Sequence, residues 1–291
     1  MPGRFAGGDS GGSPIGVFDS GVGGLTVLRA LVEALPSEDF IYLGDTARLP
    51  YGTKSPETVV RYSLQCAAAL VTRGIGSLVV ACNTASASAL GALTERYPSL
   101  PVIGVIEPGA QTAVAASKSQ HIAVIATEGT ISGGAYQTAI RRLRPAARVT
   151  ACACSMFVAL AEEGWTGGAV AEAVARRYLD PLFSVPDAPD TLVLGCTHFP
   201  ILGAAIRSVL PNDVAIVDSA AAVAAAAATA AAATAANAAA AVLTGTPTSA
   251  RAATRGRVTW LATDGAERFA RVGSTFFGQT LHAEAVEIID L

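Results

Sequence analysis

Two apolar runs of strand length in this chain stop at a cysteine, and small hydroxyl or amide residues follow each one. The first is Leu78-Val79-Val80-Ala81-Cys82-Asn83-Thr84 and the second is Leu192-Val193-Leu194-Gly195-Cys196-Thr197-His198. Each has a counterpart upstream: Ile15-Gly16-Val17-Phe18-Asp19-Ser20-Gly21 before Cys82, and Ile122-Ala123-Val124-Ile125-Ala126-Thr127-Glu128-Gly129 before Cys196. Two matched pairs, in the same order and at similar separations, predict a duplicated α/β unit.

The rest of the pattern agrees. Apolar runs at 15–18, 40–43, 77–81, 102–106, 121–125, 148–151, 191–195 and 214–217 alternate with helical stretches such as 24–34, 56–73 and 84–96. Continuous apolar runs suit strands buried on both faces of a parallel sheet. An α/β fold of two similar open parallel sheets is therefore expected, with ligands at the C-terminal ends of the strands. Asp19, Cys82, Thr127 and Cys196 all fall at such ends, which is the reason to group them in one site. One domain is expected over 14–106 with 218–291 packing back onto it, and a second over 107–217. Glu107-Pro108-Gly109 reads as the crossover between them. Residues 1–13, rich in Gly and Ser with no apolar core, are expected to form a flexible tail and not a signal peptide.

With 20 basic and 23 acidic residues and no long Lys/Arg cluster, the chain offers no electrostatic footprint for nucleic acid or an anionic membrane. Five cysteines without a signal peptide fit a reducing cytosol better than a disulfide framework. Between Ala220 and Ala241, 18 of 22 residues are Ala and none is charged. That length would suit a membrane span, but Ala is only weakly apolar and is the best helix former, so a helix outside the membrane is expected. Its 3.6-residue stripe is too faint to show which face packs inward. The stretch 244–256 reads as an exposed loop.

Inverting a carbon acid requires deprotonation on one face and reprotonation on the other, and a thiolate and a thiol opposed across it do this. Cys82 and Cys196 are the candidates. Either one alone would read as a small buried hydrophobe; the matched motifs argue against that for the pair. Asp19-Ser20-Gly21-Val22-Gly23-Gly24 lets a backbone approach a ligand and opens a helix, with simple helix capping by Asp19 or Ser20 as the plain alternative. Thr127 holds the place of Ser20 in the second unit. Tyr51 and Gly52, in a turn-rich stretch, offer a hydroxyl and backbone N–H groups. His198, two residues beyond Cys196, could tune or protonate that thiol. Glu162 and Glu163 would ordinarily be solvated helix-end charges. Cys152-Ala153-Cys154 lacks a partner pair for zinc, so no metal is expected. The only lysines, Lys54 and Lys118, sit in no pocket motif for pyridoxal phosphate.

These motifs resemble the glutamate racemases of the aspartate/glutamate racemase superfamily. The resemblance rests on GVFDSGVGGLTVLRAL (16–31), YLGDTARLPYGTKS (42–55), VVACNTASA (79–87), PVIGVIEPG (101–109) and LVLGCTHFPIL (192–202). It implies cofactor-independent interconversion of L- and D-glutamate, supplying D-glutamate for peptidoglycan in the cytoplasm, with the site between two α/β domains. It implies that Cys82 deprotonates D-glutamate and Cys196 the L-enantiomer, assisted by Asp19 and His198. It implies further that Asp19-Ser20, Tyr51-Gly52, Asn83-Thr84 and Thr197-His198 bind the substrate. Glu162 matches an acidic position of the family, although Ser155 and Ala159 stand where prolines are typical. Thr263-Asp264-Gly265 exchanges the last two residues of a family turn, and neither it nor the Ala run is expected to touch the chemistry. A homodimer is compatible with the resemblance. A racemase for aspartate, a non-catalytic amino-acid-binding protein and a thiol redox protein remain open alternatives.

Overall fold

The computed structural model describes residues 12–229 and 255–291. Residues 1–11 of the tail expected over 1–13, the far half of the Ala-rich segment and most of the loop expected over 244–256 lie outside the described residues.

Among the described residues, ten strands form two wholly parallel sheets. The first holds β1 (Ile15–Asp19), β2 (Phe40–Gly44), β3 (Ser77–Val80), β4 (Val102–Gly104), β9 (Val258–Ala262) and β10 (Val286–Ile288), in the order β10-β9-β2-β1-β3-β4. The second holds β5 (His121–Ala126), β6 (Arg148–Ala153), β7 (Thr191–Gly195) and β8 (Ala215–Asp218), in the order β6-β5-β7-β8. Four strands of each sheet thus follow one plan. The first strand of each unit (β1, β5) lies between the second and third, and the fourth flanks the third. Every residue of β2, β5 and β7 is buried, the pattern expected of parallel strands covered on both faces. The eight apolar runs seen in the sequence are β1 to β8. The short strands β9 and β10 were not anticipated; β9 pairs with β2, and β10 with β9, extending the first sheet at its β2 edge.

Helix α1 (Leu25–Ala34) buries Leu25, Val27, Leu28 and Leu31 on one side of the first sheet. Helices α2 (Pro56–Val71) and α3 (Asn83–Arg96) cover the other side. Helix α4 (Ile106–Ala116) contains Glu107-Pro108-Gly109. The crossover expected there is therefore the first turn of a helix, where proline is tolerated because its missing N–H would have no intrahelical acceptor. Helices α5 (Glu128–Ser132), α6 (Ala135–Leu143), α7 (Met156–Glu162), α8 (Gly168–Phe183) and α9 (Gly203–Val209) clothe the second sheet. Residues 219–229 are helical (α10), with Ala220, Val223, Ala224 and Ala227 in the core. That i, i+3, i+4, i+7 stripe is the inward face the composition concealed. Helix α11 (Ala266–Phe277) sits against α1 and buries Phe269, Val272, Phe276 and Phe277. No helix among the described residues is long and apolar enough to cross a membrane.

Candidate active site

In each sheet the strand order reverses beside the first strand of the unit, between β1 and β3 and between β5 and β7, and crevices at such switch points are where α/β sheets bind ligands. Asp19 ends β1, Cys82 follows β3, Thr127 follows β5 and Cys196 follows β7. The fold brings these four strand ends together. Thr26 Oγ1 donates to Thr197 O at 3.1 Å, and Thr197 Oγ1 donates to Asp19 Oδ1 at 3.4 Å, joining the β1 loop to the β7 loop. On the other side Thr84 and Thr127 share a hydroxyl contact of 2.9 Å, and Thr130 lies 3.0 Å from both.

Cys82 is the N-cap of α3, and its sulfur accepts from the Ala85 N–H at 3.5 Å while lying 3.7 Å from Ser20 Oγ. The helix terminus and Ser20 favour the thiolate, but burial is the larger effect. With the nearby Asp19 charge it pushes the Cys82 thiol up to about 12, so the group is a neutral thiol at ordinary pH. Burial also raises the Asp19 carboxyl, against the pull of His198 and of the N–H groups of Gly24, Gly21 and Ser20. Asp19 is not the cap of α1; that position is Gly24, without a side-chain bond, while Asp19 Oδ2 accepts from Gly21 N–H at 3.0 Å.

The Cys196 sulfur lies 3.8 Å from His198 Nδ1, and His198 Nε2 lies 3.2 Å from Glu162 Oε1. Burial alone would push the imidazole down. The Cys196 thiol, Glu162 and Asp19 outweigh it and hold His198 up at about 10. Glu162 is likewise pushed up by burial but more strongly drawn down, to about 2, by His198 and Arg268. Glu162 is therefore no solvated helix-end charge. Because the folded pKa of His198 is the higher one, its stabilisation is complete below the unfolded value of 6.5 and is lost as pH rises through about 10. Glu162 has the opposite sign: its contribution is present above 4.5 and lost as pH falls through about 2. The melting-temperature difference between wild type and His198→Asn is accordingly expected to shrink between pH 6.5 and 10. A difference that stays constant over that range would contradict a charged imidazole.

Other candidates divide. Gly52 is buried against Thr127, whose Cβ would lie 2.6 Å from any Cβ at position 52, so only glycine fits. The Tyr51 hydroxyl, expected to face a ligand, is instead turned inward onto Asp45 and lies 3.7 Å from Cys66. What this turn offers the cleft is backbone. Asp45 Oδ1 also accepts from Thr263 Oγ1 at 3.0 Å, so the Thr263 turn anchors the Asp45–Tyr51 pair. Asn83 Oδ1 accepts from Tyr136 at 2.8 Å, leaving its buried Nδ2 without an acceptor among the described residues. Tyr136, Asp45 and Arg268 were not foreseen, and no local pattern marks them.

A cavity of about 270 Å³ opens beside these groups, lined by Gly52, Thr127 and Glu162 among others. Neither catalytic candidate lines it; Cys82 and Cys196 are only 5% and 6% exposed, shut away from bulk water. All five cysteines are free thiols, and no metal-binding cluster occurs among the described residues.

The Asp/Glu/Hydantoin racemase family model matches residues 15–227. The chain is 58% identical to a glutamate racemase of Geobacter metallireducens over 206 residues, 71% of this chain and 75% of that one. It is 45% identical to a glutamate racemase of Koribacter versatilis over 95% of this chain and 97% of that one. The glutamate racemase of Francisella tularensis solved with D-glutamate superimposes with a TM-score of 0.79 at 33% identity, over 96% of this chain and 97% of the other.

Proposed function

From the premise that this chain belongs to the glutamate racemases of the Asp/Glu/Hydantoin racemase family, we propose that it interconverts L- and D-glutamate by two opposed thiols without a cofactor. The observation that carries this reading is the placement of Cys82 and Cys196 after equivalent strands of two sheets built on one plan. With L-glutamate, the Cys196 thiolate removes the α-proton; the C–H bond breaks and an S–H bond forms. The Cys82 thiol then protonates the opposite face of the carbanion, its S–H electron pair staying on sulfur. D-glutamate runs the same steps in reverse.

The surroundings support this division of labour. A neutral Cys82 thiol is fit to deliver a proton, and the imidazolium of His198 beside Cys196 supplies positive charge and a proton relay on the other side. Asp19 is the auxiliary group for Cys82. Ser20, the Gly52 backbone, Thr84 and Thr197 are the hydrogen-bonding partners of the substrate, together with Asn83, whose Nδ2 is held free for a carboxylate by Tyr136. The two domains, 14–106 with 218–291 and 107–217, enclose it. The D-glutamate formed serves peptidoglycan synthesis in the cytoplasm, where the thiols stay reduced.

Incubation in D₂O without pyridoxal phosphate, with L- and D-glutamate in separate samples, tests the proposal. NMR should show α-deuteration, and circular dichroism should show inversion, from either enantiomer. A folded protein that exchanges neither would overturn the reading, and exchange with aspartate instead would move the substrate assignment.

A further inference from the structure

The Cys196 side of the site is held by a helix from the other half of the molecule. Arg268 Nη2 on α11 donates to Glu162 Oε2 at 2.9 Å, while the other Glu162 oxygen meets His198 Nε2 at 3.2 Å. Two turns further along α11, Phe276 meets the His198 ring edge-on, with centroids 5.2 Å apart. Helix α11 is itself seated closely on α1: a Cβ at Gly273 would lie 2.7 Å from Leu25 Cδ1. Glu162 ends α7, which belongs with the second sheet, whereas α11 lies between β9 and β10 of the first. Arg268, Glu162, His198 and Cys196 thus form one continuous chain of contacts across the cleft. Among the described residues Cys82 has no such strut; its sulfur contacts are Ser20 and the Ala85 N–H.

We propose that Arg268 is a positioning residue for the Cys196 half of the reaction, clamping Glu162 so that His198 presents its Nδ1 edge to the sulfur. A carboxylate bound to both a guanidinium and an imidazole has one orientation in which both bonds are good. Without the guanidinium, Glu162 can rotate and His198 loses its fixed edge.

The inference rests on the two-thiol reading and is separable from it. Since the enantiomers have equal free energy, any variant must lose kcat/KM equally in both directions, so the directional evidence lies in isotope effects. In Arg268→Ala, kcat is expected to fall by roughly tenfold, the loss of one charged hydrogen bond. The substrate deuterium isotope effect should rise with [2-²H]-L-glutamate, because the weakened Cys196 step then breaks the C–²H bond. It should fall toward unity with [2-²H]-D-glutamate, because that step then only protonates carbon. Arg268→Lys should restore part of the rate. Unchanged kcat, or isotope effects that move alike for both enantiomers as a general loosening would produce, would overturn the clamp while leaving the thiols in place. A wild-type protein without racemase activity would overturn both.

Discussion

Replacing either Cys82 or Cys196 by serine is expected to lower racemisation by ~10²–10⁴-fold, the range spanned by positioned general acid–base groups. Serine fits the space, so the buried strand ends need not move, and only the acidity of the group changes. A hydroxyl is far less acidic than a thiol, and the thiolate is the form that acts. Each variant should have the same kcat/KM from either enantiomer, and the two variants should differ in mechanism. In Cys196→Ser the slow step is proton abstraction from L-glutamate and proton delivery from D-glutamate; in Cys82→Ser the assignment reverses. Substrate deuterium isotope effects measured from both enantiomers should therefore be large from L and near unity from D for Cys196→Ser, and the reverse for Cys82→Ser. Wild-type turnover in either variant, or the same isotope pattern in both, would exclude a two-thiol mechanism. Melting temperatures on the same samples separate lost chemistry from lost fold.

Gly23→Ala is expected to cost about 100-fold in kcat, the scale of a 1 Å misplacement of catalytic groups. A Cβ at position 23 would lie 2.4 Å from both His198 Nδ1 and Thr197 Oγ1, the atoms facing Cys196 and Asp19. Neither side chain has an easy retreat. His198 is held by Glu162 and by the Phe276 ring, and Thr197 is buried. Gly23 is not among the residues of positive φ, so its backbone accepts alanine, and the clash falls on the site and not on the chain. Gly91→Ala, on α3 with open space around its Cβ position, is the control and should retain full activity. A Gly23→Ala protein with wild-type kcat would show that the His198 position is not critical.

The eight strands β1 to β8 were legible as largely apolar runs, most plainly β2, β5 and β7, where both faces of a parallel strand are covered and the run stands out against helices patterned at 3.6 residues. Their C-terminal ends carried Asp19, Cys82, Thr127 and Cys196 for the same reason: a run that stops at a polar or thiol residue marks where the sheet ends and a crevice begins. The tail was harder. β9 and β10 have mixed burial, with β10 at the edge of the first sheet, and α11 carries no motif. Its two contributions to the site, Arg268 and Phe276, lie on a surface helix whose sequence reads like any amphipathic segment. The Pro108 stretch went the other way, because proline punctuates both crossovers and helix starts.

Local pattern thus settles the duplicated α/β plan and the strand-end placement of Cys82 and Cys196, since each follows from periodicity and residue type within a few positions. Which groups tune those thiols is decided only by tertiary packing. Glu162 turns to His198 and Arg268, separated from it by 36 and 106 residues, and the Tyr51 hydroxyl turns inward to Asp45. A side chain of several rotatable bonds chooses its partner by the charge and space that distant segments bring to it, and neither is written in its own neighbourhood.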